Sequence, residues 1–320
     1  IEAARHGIPL TYFEYGTLAA MLLFIEAGLD VAILEVGLGG RLDAVNAFDA
    51  DCAVVTSVDF DHMDYLGNTR EQIAFEKAGI FRTGKPAICA DADVPETLSK
   101  HATDIDARLL RINRDFGFIA EKNQWLYWGR SGRRHALPYP ALRGGYQLQN
   151  ASAALAALDE LKDIFPVGMG EIRRGLIEVD LPARFQVLPG RPAVILDVAH
   201  NPQAVASLSV NLANMGFYRN TFAVFGMLKD KDIAGAARIL KPQVNSWFIA
   251  SISSERRGAT AFDVARELLR AGVPQTAMSG YASPGDAYDQ ACNLAAENDK
   301  IIVFGSFHTV AGVLRRRSGE

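Results

Sequence analysis

The chain has 320 residues, 49% of them hydrophobic and 22% charged. That length predicts about two domains, and that composition suits ordinary α/β folds. With 33 basic and 37 acidic residues the net charge is −4, which argues against a general binder of nucleic acid or anionic membranes.

The sequence opens on Ile1-Glu2-Ala3-Ala4-Arg5, helix-like and without an initiating Met, so the natural N-terminus is expected upstream. Residues 16–25 are the longest apolar stretch, too short to span a bilayer, and read as part of a buried helix over 17–27. Residues 31–36 and 52–58 are short, apolar and rich in Val, which predicts buried strands running into Gly- or Asp-rich loops. A helix is expected over 69–81, opened by a capping box between Thr69 and Gln72. Alternating βα units imply a mostly parallel sheet covered on both faces. The pattern then changes. A strand is predicted at 87–89, short antiparallel strands at 116–120, 125–128 and 133–137, and an alanine-rich helix at 150–162. Residues 181–192 hold three prolines and a glycine and mark a boundary. The expected division is a first domain 1–183, a linker 184–191 and a second domain 192–320. In the second, strands are predicted at 194–198, 222–225, 247–250 and 301–304. Helices are predicted at 203–214, 233–240, 261–271, 284–296 and 309–316. The basic run Arg315-Arg316-Arg317 suits a helix C-terminus.

Three scattered cysteines, Cys52, Cys89 and Cys292, make no metal-ligand spacing and fit a reducing cytoplasm. No secretory pattern is read at the start of the sequence.

Chemistry concentrates at a few places. Glu35 ends the predicted strand before Val36-Gly37-Leu38-Gly39-Gly40. Ligands bind at that end of open α/β sheets, and a carboxylate there can hold Mg2+. The same residue also fits a solvated loop edge. Leu42 stands where a dinucleotide fingerprint needs its third glycine, so NAD binding is rejected. His62 lies among Asp59, Asp61 and Asp64, a cluster able to bind a cation or simply to face water. Lys77 has apolar helical neighbours at Ile73, Ala74, Ile80 and Phe81. A buried lysine tends to lose its proton, and the neutral amine can add CO2 to become a carbamate, an oxygen ligand for Mg2+. A snorkelling lysine fits the spacing too.

Gly79-Ile80-Phe81-Arg82-Thr83-Gly84-Lys85-Pro86 nearly spells a phosphate-binding loop. Pro86 replaces the required Ser/Thr, and the segment runs helix to strand instead of strand to helix, so it is rejected. No other Gly-Lys-Ser/Thr occurs in the 320 residues. In Asp197-Val198-Ala199-His200-Asn201-Pro202, Asn201 and Pro202 are an ordinary helix start. Asp197 and His200 converging on a strand end are not explained by that. Ser306 follows the last strand, as a cap or a ligand.

Taken together, these segments resemble the folylpolyglutamate synthase/dihydrofolate synthase family of the Mur ligase superfamily. The most specific pieces are Leu10-Thr11-Tyr12-Phe13-Glu14-Tyr15-Gly16-Thr17, Leu34 to Asp43, Glu76-Lys77-Ala78-Gly79-Ile80-Phe81, Asp197 to Pro202, Gly226 to Asp232, and Gly305-Ser306-Phe307-His308-Thr309-Val310. The resemblance implies a truncated P-loop ATPase domain of Mur-ligase type, with a mostly parallel sheet and a small antiparallel subdomain. A Rossmann-like α/β glutamate-ligase domain follows. It implies Glu35, His62 and carbamylated Lys77 as Mg2+ ligands. It implies Thr11, Tyr12, Phe13, Glu14, Arg41, Leu42 and Asp43 as pterin or folate contacts. Asn150, Arg184 and Asp197 match ATP contacts. His200 and Ser306 look placed for glutamate, with Lys77 and His200 the catalytic pair. Ala183 stands where many relatives have glycine, and little effect is expected. The family's phosphate loop lies roughly one hundred residues upstream of the Thr-Tyr-Phe-Glu motif, within a nucleotide domain's size, and so outside these residues.

The implied reaction is ATP-driven. A carboxylate of dihydropteroate, or the γ-carboxyl of a reduced folate, becomes an acyl phosphate and is attacked by L-glutamate. Mg2+ is the expected cofactor, with K+ or another monovalent cation. A cytoplasmic monomer is expected, with no nucleic-acid or membrane partner. The first motif resembles bacterial bifunctional enzymes. The chain by itself is expected to be inactive. The alternatives are a monofunctional folylpolyglutamate synthase and a non-catalytic folate-binding fragment. A cell-wall Mur ligase is disfavoured by Tyr12-Phe13-Glu14-Tyr15.

Overall fold

The structure, a computed structural model, describes residues 1–60, 63–252 and 255–319, without the side chain of Asp64. The chain divides into two compact units, Ile1–Pro138 with Leu148–Arg173, and Tyr139–Gln147 with the chain from Arg174 onward.

The first unit opens with α1 (Tyr12–Glu26). Thr11 caps it reciprocally: its hydroxyl accepts from the Glu14 N–H at 3.2 Å, and the Glu14 carboxylate accepts from the Thr11 N–H at 2.7 Å. The helix therefore starts earlier than its apolar pattern suggests. It buries no side chain, so the expectation of a buried helix is corrected. Leu23 and Ile25 are exposed. Residues 31–36 form no strand, a second correction, and Ile33 is 91% exposed. A strand needs a neighbour to complete its hydrogen-bond ladder, and no described strand lies beside 31–36. Glu35 thus sits in irregular, exposed chain instead of ending a strand.

A parallel sheet in the order β1-β2-β3 follows, from β1 (Ala53–Val55), β2 (Pro86–Cys89) and β3 (Arg108–Arg111). Between β1 and β2 come α2 (Met63–Leu66) and α3 (Arg70–Ala78), and α4 (Glu96–Asp104) precedes β3. Ile73 and Ala74 of α3 and Leu98 and Ala102 of α4 pack on Ala53, Val55, Ala87 and Cys89. Val54 is exposed, so β1 is covered on one face only. Thr69 caps α3, but Gln72 returns its hydrogen bond to the Asn68 N–H, one residue before the expected partner. An antiparallel meander, β4 (Gly117–Ala120), β5 (Trp125–Gly129) and β6 (Gly132–Leu137), matches the predicted small sheet. It adjoins α5 (Gln147–Glu160), where Tyr127 and Arg134 both bond Asp159.

The second unit begins with α6 (Met169–Glu178), which straddles the division. The proline-rich 181–192 segment carries a strand, β7 (Gln186–Leu188), antiparallel to β8 (Ala193–Leu196). The remaining elements are α7 (Pro202–Ala213), β9 (Thr221–Phe225), α8 (Ile233–Leu240), β10 (Ser246–Ala250), α9 (Ala261–Arg270), β11 (Met278–Tyr281), α10 (Pro284–Leu294), β12 (Lys300–Phe304) and α11 (Phe307–Ser318). The sheet order is β11-β10-β9-β12-β8-β7, parallel except for β7. Strand alternation sends Ala223 and Phe225 to one face and Val224 to the other. Helices α7, α8 and α9 cover the first face with Leu208, Leu240 and Leu268, while α10 and α11 cover the second with Ala291 and Val313. Each of the buried leucines and the valine among these contributes roughly 1.5–3 kcal/mol. Because β8 feeds α7 and its neighbour β12 feeds α11, adjacent strands exit to opposite faces. Their carboxyl ends therefore open a crevice, the place where such sheets bind ligands.

Candidate functional site

In the first unit the glycine loop after Glu35 is seated on α3. A Cβ on Gly40 would lie 2.7 Å from the Glu76 carbonyl and 3.2 Å from the Lys77 Cα, so only glycine lets the backbones approach. The Arg41 N–H donates to the Glu76 carbonyl at 2.7 Å, and its guanidinium pairs with the Glu76 carboxylate at 2.9 Å. Arg41 also lies over the Phe75 ring at 5.2 Å. At the loop's start Gly37 faces the Phe13 ring, and a Cβ there would lie 2.7 Å from the ring edge. Phe13, the 37–43 loop and the Lys77 helix are thereby brought together.

Several expected contacts also have structural duties. Asp43 caps a short turn, Ala44–Ala47, accepting from Val45 N–H at 3.0 Å and Leu38 N–H at 2.9 Å. Thr11 and Glu14 hold each other in the α1 cap. Tyr12 and Leu42 are 96% and 80% exposed, which leaves both side chains without any core duty. Lys77 is half-buried, one turn from buried Ile73 and Ala74. His62 lies outside the described residues. The chain leading to it is anchored at Val58, whose N–H donates to the buried Asp91 carboxylate at 2.7 Å and whose carbonyl accepts from Arg70 at 3.0 Å. Among the described residues no three His, Cys, Asp or Glu side chains converge as a metal site. Asn150 is half-buried on α5, beside Gln149, which donates to the Ala90 carbonyl. The Gly79 to Pro86 segment is the end of α3 and the start of β2, as its rejection as a phosphate loop requires.

In the second unit Arg184, Asp197, His200 and Ser306 gather at the carboxyl ends of β8 and β12. Asp197 is buried, and its two oxygens accept from Phe185 N–H at 2.9 Å and Ala199 N–H at 2.7 Å. Burial raises its pKa, opposed by those two N–H groups, then by the charges of Arg184 and His200. His200 Nδ1 lies 2.9 Å from the Val198 carbonyl. A carbonyl only accepts, so Nδ1 carries a proton, and in the neutral form of the ring Nε2 is an acceptor. Asn201 caps α7, as expected.

Ser306 is buried and caps α11. Thr309 spends its hydroxyl proton on the Gly226 carbonyl at 2.7 Å. The 2.8 Å contact between the two hydroxyls is then donated by Ser306, whose oxygen also accepts from the Thr309 N–H at 3.0 Å. Its remaining capacity is as an acceptor, suited to an ammonium group. Gly305, at φ 110°, lets this turn pass within reach of Gly226: a Cβ there would sit 2.4 Å from the Gly226 carbonyl. Thr309, Gly226 and Phe307 were not singled out as site residues from sequence. The serine-to-threonine spacing of a helix cap is the one signal that pointed there.

A cavity of about 440 Å³ lies elsewhere in this unit, near the starts of α8 and α9, lined by Lys229, Lys231 and Arg266 among others. Its Asp232 caps α8, and its Asp263 completes the capping box of α9 with Thr260. None of the expected site residues lines it. Among the described residues no helix is long and apolar enough to cross a membrane.

Residues 4–158 match the Mur ligase middle domain, and residues 183–307 match the Mur ligase glutamate ligase domain. The chain is 43% identical to the dihydrofolate synthase/folylpolyglutamate synthase of Escherichia coli K12, over all of this chain and 73% of that protein. It superposes with TM-score 0.93 and 42% identity on E. coli FolC in complex with DHPP and ADP, covering 99% of this chain and 73% of that one. A bifunctional folylpolyglutamate synthase/dihydrofolate synthase with Mn, AMPPNP and L-glutamate bound gives TM-score 0.89 at 42% identity, with 99% and 74% covered. The chain belongs to the dihydrofolate synthase/folylpolyglutamate synthase family of Mur ligases, ATP-dependent enzymes that form amide bonds.

Proposed function

We propose that this chain carries the glutamate-joining machinery for dihydropteroate and for the γ-carboxyl of reduced folates. ATP would phosphorylate the carboxylate, the amine of L-glutamate would attack the acyl carbon, and phosphate would leave. The observation that carries this reading is the cluster at the ends of β8 and β12, inside the region that matches a glutamate ligase domain. Arg184 is exposed there with no carboxylate ion pair among the described residues, a guanidinium available to phosphate oxygens. Ser306 offers an acceptor to the glutamate ammonium, and His200 Nε2 an acceptor for the proton that the attacking amine sheds. Asn150 and Asp197 remain proposed ATP-side residues.

Mg2+ favours oxygen donors. Glu35 presents an exposed carboxylate, and carbamylated Lys77 would add a second oxygen donor beside the loop that Gly40 seats on it. These residues fit the ion, with His62 as a further proposed ligand. When bound, Mg2+ would neutralise charge on the transferred phosphoryl group. Thr11, Tyr12, Phe13, Glu14, Arg41, Leu42 and Asp43 are the proposed pterin face. A monovalent cation such as K+, a monomeric state and a cytoplasmic setting belong to the same proposal.

Lys77→Ala is expected to abolish glutamate-dependent ADP release in a protein completed with a phosphate loop. A short carboxylic acid should restore part of it without bicarbonate, by supplying the lost oxygen ligand. Unchanged turnover would make Lys77 an ordinary surface lysine.

A further inference from the structure

Arg184 sits between two non-glycine residues in the left-handed region, Ala183 at φ 64° and Phe185 at φ 47°. Both are buried, at 5% and 4% exposure, while Arg184 between them is exposed. Left-handed backbone costs roughly 1–2 kcal/mol per non-glycine residue, so something must hold the kink. Asp197 does so directly, taking the Phe185 N–H at 2.9 Å. Ala183 is pinned on the other side, its carbonyl accepting from Val198 N–H at 3.0 Å and its N–H donating to Gln186 Oε1 at 3.1 Å.

The far end of Arg184 is held separately. Its Cζ lies 5.7 Å from the centre of the Phe307 ring. Phe307 is 58% exposed, so core burial does not account for a large aromatic there. It opens α11, directly after Ser306, and the Ser306–Thr309–Gly226 hydrogen bonds fix that first turn. The ring also faces His200, with centroids 6.5 Å apart.

We infer that Asp197 and Phe307 are positioning residues for Arg184, the carboxylate setting its backbone kink and the ring carrying its guanidinium. This rests on the reading of Arg184 as a phosphate-binding group. A cation–π contact uses none of the guanidinium's N–H donors, which leaves them available to phosphate oxygens.

The test is a double-mutant cycle on ADP affinity in the protein completed with a phosphate loop, together with the Nε–Hε NMR resonance of Arg184. Phe307→Leu should weaken ADP binding about twofold to fivefold, the range of an exposed cation–π contact. Phe307→Tyr should retain wild-type affinity, because it keeps the ring. In an Arg184→Ala background, Phe307→Leu should add less than about 1.5-fold, the coupling expected of residues acting as a unit, while Asp197→Asn in the otherwise wild-type protein should move the Arg184 resonance. The Arg184 resonance should move in Phe307→Leu and stay in Phe307→Tyr. Effects that multiply independently, or a Leu variant with unchanged affinity, would overturn the inference. A completed wild-type protein that binds no ADP would count against the nucleotide reading. The resonance would then decide the positioning role alone, an unmoved signal in Phe307→Leu rejecting it.

Discussion

Ala183 occupies a left-handed position that glycine would fill without strain. Relief of that strain is worth roughly 1–2 kcal/mol, against about 0.4–1 kcal/mol for the extra freedom glycine brings to the unfolded chain. Ala183 also buries its methyl group, worth about 0.8 kcal/mol, so the terms nearly cancel and Ala183→Gly should leave stability within about 0.5 kcal/mol of wild type, read as a nearly unchanged urea midpoint. A lower midpoint would show that the kink costs nothing. Asp197 supplies a pH signature. Its folded pKa lies above the ordinary 3.8, so the folded state holds this proton more tightly than the unfolded one. Its contribution is therefore largest below 3.8 and is lost as pH rises through the higher folded value. The stability difference between wild type and Asp197→Asn should shift toward the variant across that window, and a flat difference would contradict the assignment. At this scale the site was partly legible. Arg184, Asp197, His200 and Ser306 were named from their motifs and the structure gathers them. Phe307 was missed because its value lies in a contact across sequence to Arg184, which no local pattern records. Thr11 and Glu14, proposed as pterin contacts, also form the cap of α1, a local duty that the Thr-x-x-Glu spacing records.

Elements were read best where both neighbours are present. The central strands β2, β8, β9, β10 and β12 are continuous apolar runs, and all were expected. The missed strands β3, β7 and β11 are all sheet edges. Edge strands bury less, and β3 reads Arg-Leu-Leu-Arg while β11 reads Met-Ser-Gly-Tyr, neither a β-branched run. Residues 31–36 erred the other way: the right composition without a partner makes no strand. The antiparallel sheet carries its own test. The Asp159 side chain is 2% exposed, takes the Tyr127 hydroxyl at 2.9 Å and pairs with Arg134 at 2.5 Å. Burial, then the Asp159 charge, raises the Tyr127 pKa, so the phenol stays a donor. Arg134→Met would leave a buried carboxylate without its cation, at about 3–5 kcal/mol. Urea unfolding should show a loss of that order, and a loss under about 1 kcal/mol would mean that water already screens the pair.

For the whole molecule, the two matched regions account for both units: a middle-domain match over 4–158 and a glutamate-ligase match over 183–307. Family, fold class and ligase chemistry follow from that pairing and were legible in the ordered motifs. The phosphate clamp is the part these 320 residues do not contain, since they hold no Gly-Lys-Ser/Thr loop. The chain spans 73% of the E. coli relative. The most direct measurement is ADP release with dihydropteroate and L-glutamate, made on this chain alone and on the chain joined to the unmatched segment of that relative. The account predicts glutamate-dependent ADP from the joined protein and none above background from the chain alone. Equal turnover by the chain alone would contradict the role given to the missing loop, and no glutamate-dependent ADP from the joined protein would contradict the ligase assignment itself.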